Sequence, residues 1–207
     1  AKGSALLVHG LGGATYSYRY IAPVLAEAGY DVVAVDLPGF GYSSRTRSTS
    51  FDSDEIIEVL WRLLDSLAVP DRWIFVGHSM GGRTVLSLEA RRPGPVSGLV
   101  LIDPALELGG AARLLVRIPP GRWILRRYLE QSILTYDGVE NLLLQAYGRF
   151  PTDAEVRNHL EPLLISGTAR SISLLARNTR KFRRDLSTVT VPTLLLWGSD
   201  DPYVPAS

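Results

Sequence analysis

Trp73-Ile74-Phe75-Val76-Gly77-His78-Ser79-Met80-Gly81-Gly82 carries more information than any other run in this 207-residue chain. Four apolar residues lead into a serine with a glycine two positions away on either side, and residues at helical spacing follow to about Ala90. A strand that turns sharply into a helix needs this spacing. The turn forces the serine into a strained backbone conformation, and the glycines let neighbouring chain come close. Ser79 is therefore expected at the carboxyl edge of a sheet, with a helix N-terminus behind it that favours negative charge. A glycine-rich helix start without chemistry is the plainer alternative, and the strand before it and the helix after it argue against that.

Similar apolar runs recur at Ala5 to His9, Val32 to Asp36, Leu99 to Asp103 and Thr193 to Trp197, each bounded by Gly, Pro or Asp. Continuous runs of this kind, with helical segments between them, are the mark of parallel strands buried on both faces. Ser17 to Ala28 and Asp54 to Leu67 supply helices, the second with a stripe of Ile56, Val59, Leu60, Leu63, Leu64 and Leu67. Asp52 or Ser53 can cap it, and Asp54 and Glu55 suit its first turn. From Pro104 to about residue 186 the pattern is helical only, too long and too periodic for a loop, so an inserted helical subdomain is expected there.

Composition narrows the function. Apolar residues make up 46% of the chain, enough for a sizeable core, and 22 basic against 21 acidic side chains speak against a dedicated nucleic-acid binder. The absence of cysteine excludes a disulfide scaffold, a Cys-ligated zinc site and a cysteine nucleophile. His9, His78 and His159 share no ligand-like spacing, so no metal is expected. No run reaches the roughly 18 apolar residues of a membrane span and no leader precedes the first strand, so a soluble, cytoplasmic chain is expected. The charge is uneven. Residues 106–184 hold 13 basic and 7 acidic side chains, a net +6, against −5 for the remainder. Lys2 and Lys181 are the only lysines, so the positive charge is almost all guanidinium, suited to forked pairing with carboxylate or phosphate. Solvated helix faces account for it equally well.

Val8-His9-Gly10-Leu11-Gly12-Gly13 ends the first strand. With Asp36 closing the next, it imitates a dinucleotide-binding unit, but the third glycine of that fingerprint falls on Thr15. Asp36, followed by Leu-Pro-Gly-Phe-Gly, is better suited to organise a turn. Beside a nucleophilic serine, the glycine loop makes sense as half of an oxyanion hole, in which backbone N–H groups of Leu11 and Met80 converge on a tetrahedral intermediate.

In order along the chain, His9-Gly10-x-Gly12-Gly13, Asp36-Leu-Pro-Gly-Phe-Gly41-x-Ser43, Gly77-His78-Ser79-Met80-Gly81-Gly82, Leu99 to Pro104 and Val191 to Pro205 resemble the α/β-hydrolase superfamily in its capped, serine-nucleophile, lipase/esterase-like branch. The resemblance implies a three-layer α/β core with a mostly parallel sheet, holding strands 3 to 7 of the family in the order 4-3-5-6-7. The core would comprise residues 1–103 and 187–207, and residues 104–186 would form a helical cap over the site. It also implies the acid: Gly198-x-x-Asp201-x-x-Val204-Pro205 fits the family pattern, which favours Asp201 over Asp200, with Asp103 as the runner-up because some branches take their acid there. Triad order in the family is serine, acid, histidine, and no histidine follows Asp201. His9, His78 and His159 each read as structural.

The resemblance thus implies a cofactor-free hydrolase cleaving an ester or similar acyl bond through Ser79, Asp201 and a histidine beyond residue 207. A carbon-carbon bond hydrolase or a perhydrolase or haloperoxidase would use the same triad, and a non-catalytic ligand-binding module would lack the base. The abrupt ends, Ala1-Lys2-Gly3 four residues before a strand and Pro205 soon after the last, lead to the expectation that these residues are an inactive internal segment of a longer protein. An apolar stretch of Trp123, Ile124, Leu125, Tyr128, Leu129, Ile133 and Leu134, flanked by Arg122, Arg126 and Arg127, would suit a small acyl or ester substrate that is anionic or carrier-bound.

Overall fold

The computed structural model describes residues 1–46, 52–106, 119–178, 182 and 185–204. Strands β1 (Gly3–Val8), β2 (Tyr30–Val35), β3 (Trp73–His78), β4 (Val96–Ile102) and β5 (Thr193–Leu196) form one sheet in the order β2-β1-β3-β4-β5. Every neighbouring pair is parallel. The expected family order is thereby met, with β1 and β3 central.

Successive side chains of β1 go to opposite faces, and both faces are covered. Leu6 and Val8 join Phe75 and Leu99 beneath helices α2 (Ser53–Asp65) and α3 (Met80–Arg91). Leu7 and Val76 pack on the other side with Tyr18 and, near helix α1 (Ile21–Glu27), with Ala22 and Leu25. The continuous apolar runs follow from this two-sided burial.

Two helix expectations shift. Ser17 to Ala28 is a 3-10 turn, Thr15–Tyr18, followed by α1. Pro23 lacks an N–H and is tolerated only in a helix's first turn, so a helix containing it starts within a few residues of it. On α2 the buried face is Ile56, Ile57, Leu60, Trp61 and Leu64, while Val59 and Leu63 are part-exposed. Trp61 causes the rotation: it is fully buried, packs near Phe75 at 5.8 Å and donates from Nε1 to Leu88 O at 3.2 Å. The cap is as expected, Asp52 accepting from the Asp54 N–H at 2.9 Å.

Between β4 and β5 the described residues form helices α4 (Pro119–Tyr128), α5 (Tyr136–Tyr147), α6 (Asp153–Leu163) and α7 (Thr168–Asn178), with a π-helical turn at Leu129–Ile133. The insert has a core of its own, built on Leu129, Leu134, Val139, Leu143, Val156, Leu163 and Ala169. Thr152 and Glu155 start α6 with a reciprocal capping box. Of the apolar stretch 123–134, Leu129 and Leu134 belong to this core, whereas Trp123, Ile124 and Tyr128 remain exposed. Residues 107–118, 179–181, 183, 184 and Pro205 lie outside the described residues, so the ends of the expected 104–186 segment and the last position of the acid motif do too. No helix among the described residues is long and apolar enough to cross a membrane.

Candidate active site

Ser79 joins β3 to α3 with φ 52° and ψ −118°, the strained conformation that its spacing requires. Its N–H donates to Ile102 O at 2.9 Å, and its carbonyl accepts from the Gly82 and Ala105 N–H groups at 2.9 and 3.0 Å. The bend is fixed from both sides. A Cβ on Gly77 would overlap the Gly81 carbonyl, and one on Gly81 would overlap the Val8 carbonyl at the end of β1. Met80 opens α3, so its N–H is among the donors that a helix leaves unpaired in its first turn.

The loop after β1 reaches the same corner. A Cβ on Gly10 would stand 3.1 Å from Ser79 Cβ, so this loop touches the serine. The Gly13 N–H donates to Gly10 O at 3.0 Å, closing a turn with Leu11 and Gly12 at its tip, Gly12 at φ 69°. Met80 follows Ser79 in the chain, and Leu11 follows Gly10 in the loop that touches it.

The three histidines are each placed by packing. His9 is fully buried, its Nδ1 2.7 Å from Gly10 O while the Leu37 N–H donates to Nε2 at 3.0 Å. A carbonyl can only accept, so the proton sits on Nδ1 and the ring is neutral. Burial pushes its pKa down, with Asp36 opposing weakly. His78 lies against Gly10 and is also pushed down by burial, with Asp103 and Asp201 acting the other way. His159, on α6, hydrogen-bonds Tyr147 Oη through Nε2 at 3.2 Å and meets the Tyr16 ring edge-on at 5.1 Å. Burial, with Arg19 nearby, lowers it to about 4.

These depressed values make a stability prediction. A histidine that folding holds neutral takes up its proton more readily in the unfolded chain, so its contribution is complete above the ordinary value of about 6.5 and is lost as pH falls toward the folded value. The urea midpoint is expected to be flat from pH 8 to 7 and to fall steadily between pH 6.5 and about 4. A midpoint unchanged from pH 7 to pH 5 would contradict it.

Asp36 does what its position suggests. Oδ1 accepts from the Thr15 N–H at 2.7 Å, Oδ2 from the Tyr42 N–H at 2.8 Å, and its carbonyl from Ser43 Oγ at 2.6 Å. One carboxylate oxygen serves its own loop and the other ties that loop to the turn at Thr15, which leaves the dinucleotide alternative without its sugar ligand.

The two candidate acids end neighbouring strands. Asp103, at φ 42°, follows β4 and accepts from the Gly198 N–H through Oδ1 at 2.8 Å. Asp201 lies on the loop that Gly198 begins, and its Oδ1 accepts from the Tyr203 and Val204 N–H groups at 2.7 and 3.0 Å. Trp197 Nε1 donates to Val204 O at 2.6 Å and closes that loop on itself. The strand order places β3, β4 and β5 side by side, so Ser79, Asp103 and Asp201 leave adjacent strands at one sheet edge. A small, largely apolar crevice of about 40 Å³ adjoins Met80, between Leu37, Phe40, Ala105 and Leu175. It is not lined by the 123–134 stretch.

No local pattern marks the polar contacts between core and insert. Arg19 Nη2 donates to Glu155 Oε1 at 3.1 Å across 136 positions. Arg45 donates to Thr168 Oγ1 and to Pro162 O, both at 2.9 Å. Tyr203 Oη donates to Leu142 O at 3.2 Å and lies 3.1 Å from Gln145 Oε1. Each pairs residues far apart in the chain, which no periodicity can reveal.

A parallel sheet, a strained serine between strand and helix, and a glycine loop against that serine define an α/β protein with its site at the carboxyl edge of the sheet. The chain belongs to the α/β-hydrolase fold family, whose model matches residues 6–207. It is 28% identical to a 2-hydroxy-6-oxononadienedioate/2-hydroxy-6-oxononatrienedioate hydrolase of Burkholderia vietnamiensis, over 97% of this chain and 71% of that protein. It is likewise 28% identical to a monoacylglycerol lipase of Mycolicibacterium smegmatis, over 100% of this chain and 72% of that one. A probable hydrolytic enzyme from Pseudomonas aeruginosa has a similar crystal structure, with a TM-score of 0.76 and 28% identity, covering 96% of this chain and 65% of its own. The chain thus spans about seven-tenths of those two relatives and somewhat less than two thirds of the solved one.

Proposed function

We propose that this chain carries the nucleophile, oxyanion donors and acid of a serine hydrolase acting on ester or similar acyl bonds. The observation behind this is Ser79 at φ 52° with the Gly10 loop against it. A backbone conformation that costs about 1–3 kcal/mol persists where the fold over-determines it, and here it presents a hydroxyl beside two sets of backbone amides. Ser79 Oγ attacks the acyl carbon, the Leu11 and Met80 N–H groups receive the oxyanion, and Asp201 orients the base. Acyl transfer of this kind calls for no cofactor.

The base is a histidine outside residues 1–207. Both His9 nitrogens are engaged, His159 belongs to the contact between α6 and the Thr15–Tyr18 turn, and His78 is wedged beside Gly10. Without its base a serine hydroxyl is a poor nucleophile at neutral pH. The helical insert serves as a cap that selects the substrate. Carbon-carbon bond hydrolysis is the second reading, favoured by the name of the Burkholderia relative, and it uses the same groups.

Fluorophosphonate labelling tests the proposal. The chain in its full reading frame is expected to be labelled at Ser79, and residues 1–207 alone about 10³-fold more slowly or not at all. Absence of labelling in both, with both folded by circular dichroism, would favour a ligand-binding module. A panel of esters against a vinylogous 1,5-diketone acid then separates acyl from carbon-carbon cleavage.

A further inference from the structure

We propose that the Arg19–Glu155 pair is a positioning device that seats helix α6 on the loop 10–13 and so holds the oxyanion-binding amides in register. The proposal rests on the reading of that loop given above. Arg19 follows the Thr15–Tyr18 turn, the direct continuation of the loop. At its base the turn is pinned to the core by the Thr15 N–H on Asp36 and by Tyr18 Oη on Val8 O at 2.7 Å. At the loop's tip, a Cβ on Gly12 would lie 3.7 Å from Leu163 Cδ2, so the end of α6 roofs the loop.

Each partner is immobilised from its own side. The Arg19 guanidinium lies over the Tyr16 and Tyr20 rings, 4.4 Å from each centroid, and donates to Tyr147 Oη at 3.4 Å. Glu155 is the capping-box residue of α6: its Oε2 accepts from the Thr152 N–H at 2.8 Å, and Arg149 donates to both of its oxygens at 3.0 and 2.7 Å. The Glu155 side chain is only 6% exposed and that of Arg19 18%. The Arg149 hydrogen bonds hold the Glu155 carboxyl well below the usual carboxylate range, so it is ionised throughout the working pH range.

A directional, largely desolvated charge pair admits one register, whereas the apolar contact of Gly12 with Leu163 would tolerate sliding. Arg45 fastens the insert at α7 and at Pro162 in the last turn of α6, and Tyr203 fastens it at α5. Loss of the Arg19 pair should therefore let α6 pivot over the loop about that last turn without releasing the insert.

The test uses the enzyme in its full reading frame, with Arg19→Met, Glu155→Gln and the conservative Arg19→Lys. Amide exchange at residues 10–19 and 153–163 is expected to quicken about tenfold in the first two, with β3 and β4 unchanged. Hydrolysis of p-nitrophenyl acetate should lose about 10- to 100-fold in kcat with KM within about twofold. Arg19→Lys should recover part of it, because it keeps the charge opposite Glu155 and loses the planar stacking over Tyr16 and Tyr20. Unchanged exchange at both segments would overturn the proposal, as would faster exchange with turnover intact. If the wild-type enzyme neither labels nor turns over, the serine-hydrolase reading fails, and the exchange data still decide whether the pair seats α6. Glu155→Gln is nearly isosteric and keeps an acceptor for Thr152, so it supplies the answer if Arg19→Met does not fold.

Discussion

Replacing Ser79 with alanine is expected to abolish fluorophosphonate labelling and to lower kcat of the full reading frame by about 10⁵- to 10⁶-fold. The size follows from the geometry: no other hydroxyl is carried on the bend between β3 and α3, and Gly10 of the loop 10–13 lies against this residue. Alanine has the same Cβ and meets the same backbone strain at φ 52°, so the variant should fold as the wild type does. Its Gly82 and Ala105 contacts are made by the backbone carbonyl and survive the change. A residual rate of about 10³- to 10⁴-fold over water is expected, from the oxyanion donors and binding alone. A loss of less than about tenfold would remove Ser79 from the chemistry.

The second large effect separates the two acids. Asp201→Asn should lower kcat by about 10⁴-fold with little change in KM, because an amide in place of the carboxylate supports the wrong tautomer of the base. Asp103→Asn should cost less than about tenfold, since its role is to accept from the Gly198 N–H and an asparagine Oδ1 can do the same. Asp103 holds the loop that carries Asp201, and in the proposed mechanism Asp201 is the residue that orients the base. The reverse ranking, read from kcat of the two purified variants, would transfer the acid's role to Asp103.

Much of this architecture was legible because it rests on short-range rules. Five strands were readable from apolar runs that two-sided burial makes continuous, and the bend at Ser79 from glycines whose hydrogens fill the only space left by Val8 and Gly81. The turn that Asp36 closes with Tyr42 and Ser43 and the cap at Asp52 are likewise local. What stayed hidden depends on distant partners. The α2 stripe was misplaced because Trp61 turns inward to meet Leu88, a residue of another helix. Periodicity alone marks all of Ser17–Ala28 as helical, whereas Pro23 restricts the α-helix to Ile21–Glu27. Trp123, Ile124 and Tyr128 suit a substrate pocket by composition, yet they are exposed, the crevice beside Met80 is lined by other residues, and Leu129 and Leu134 go to the insert's own core. Nothing near Arg19 announces Glu155.

Ser79 and Asp103 are the two described residues other than glycine with positive φ, and they end adjacent strands. A breeding scheme that rewarded heat resistance alone would drift toward glycine at both places, since glycine relieves the strain that a side chain sustains there. The most thermally robust descendants of this chain would then be mute ones, with an intact sheet and nothing left at its edge to react.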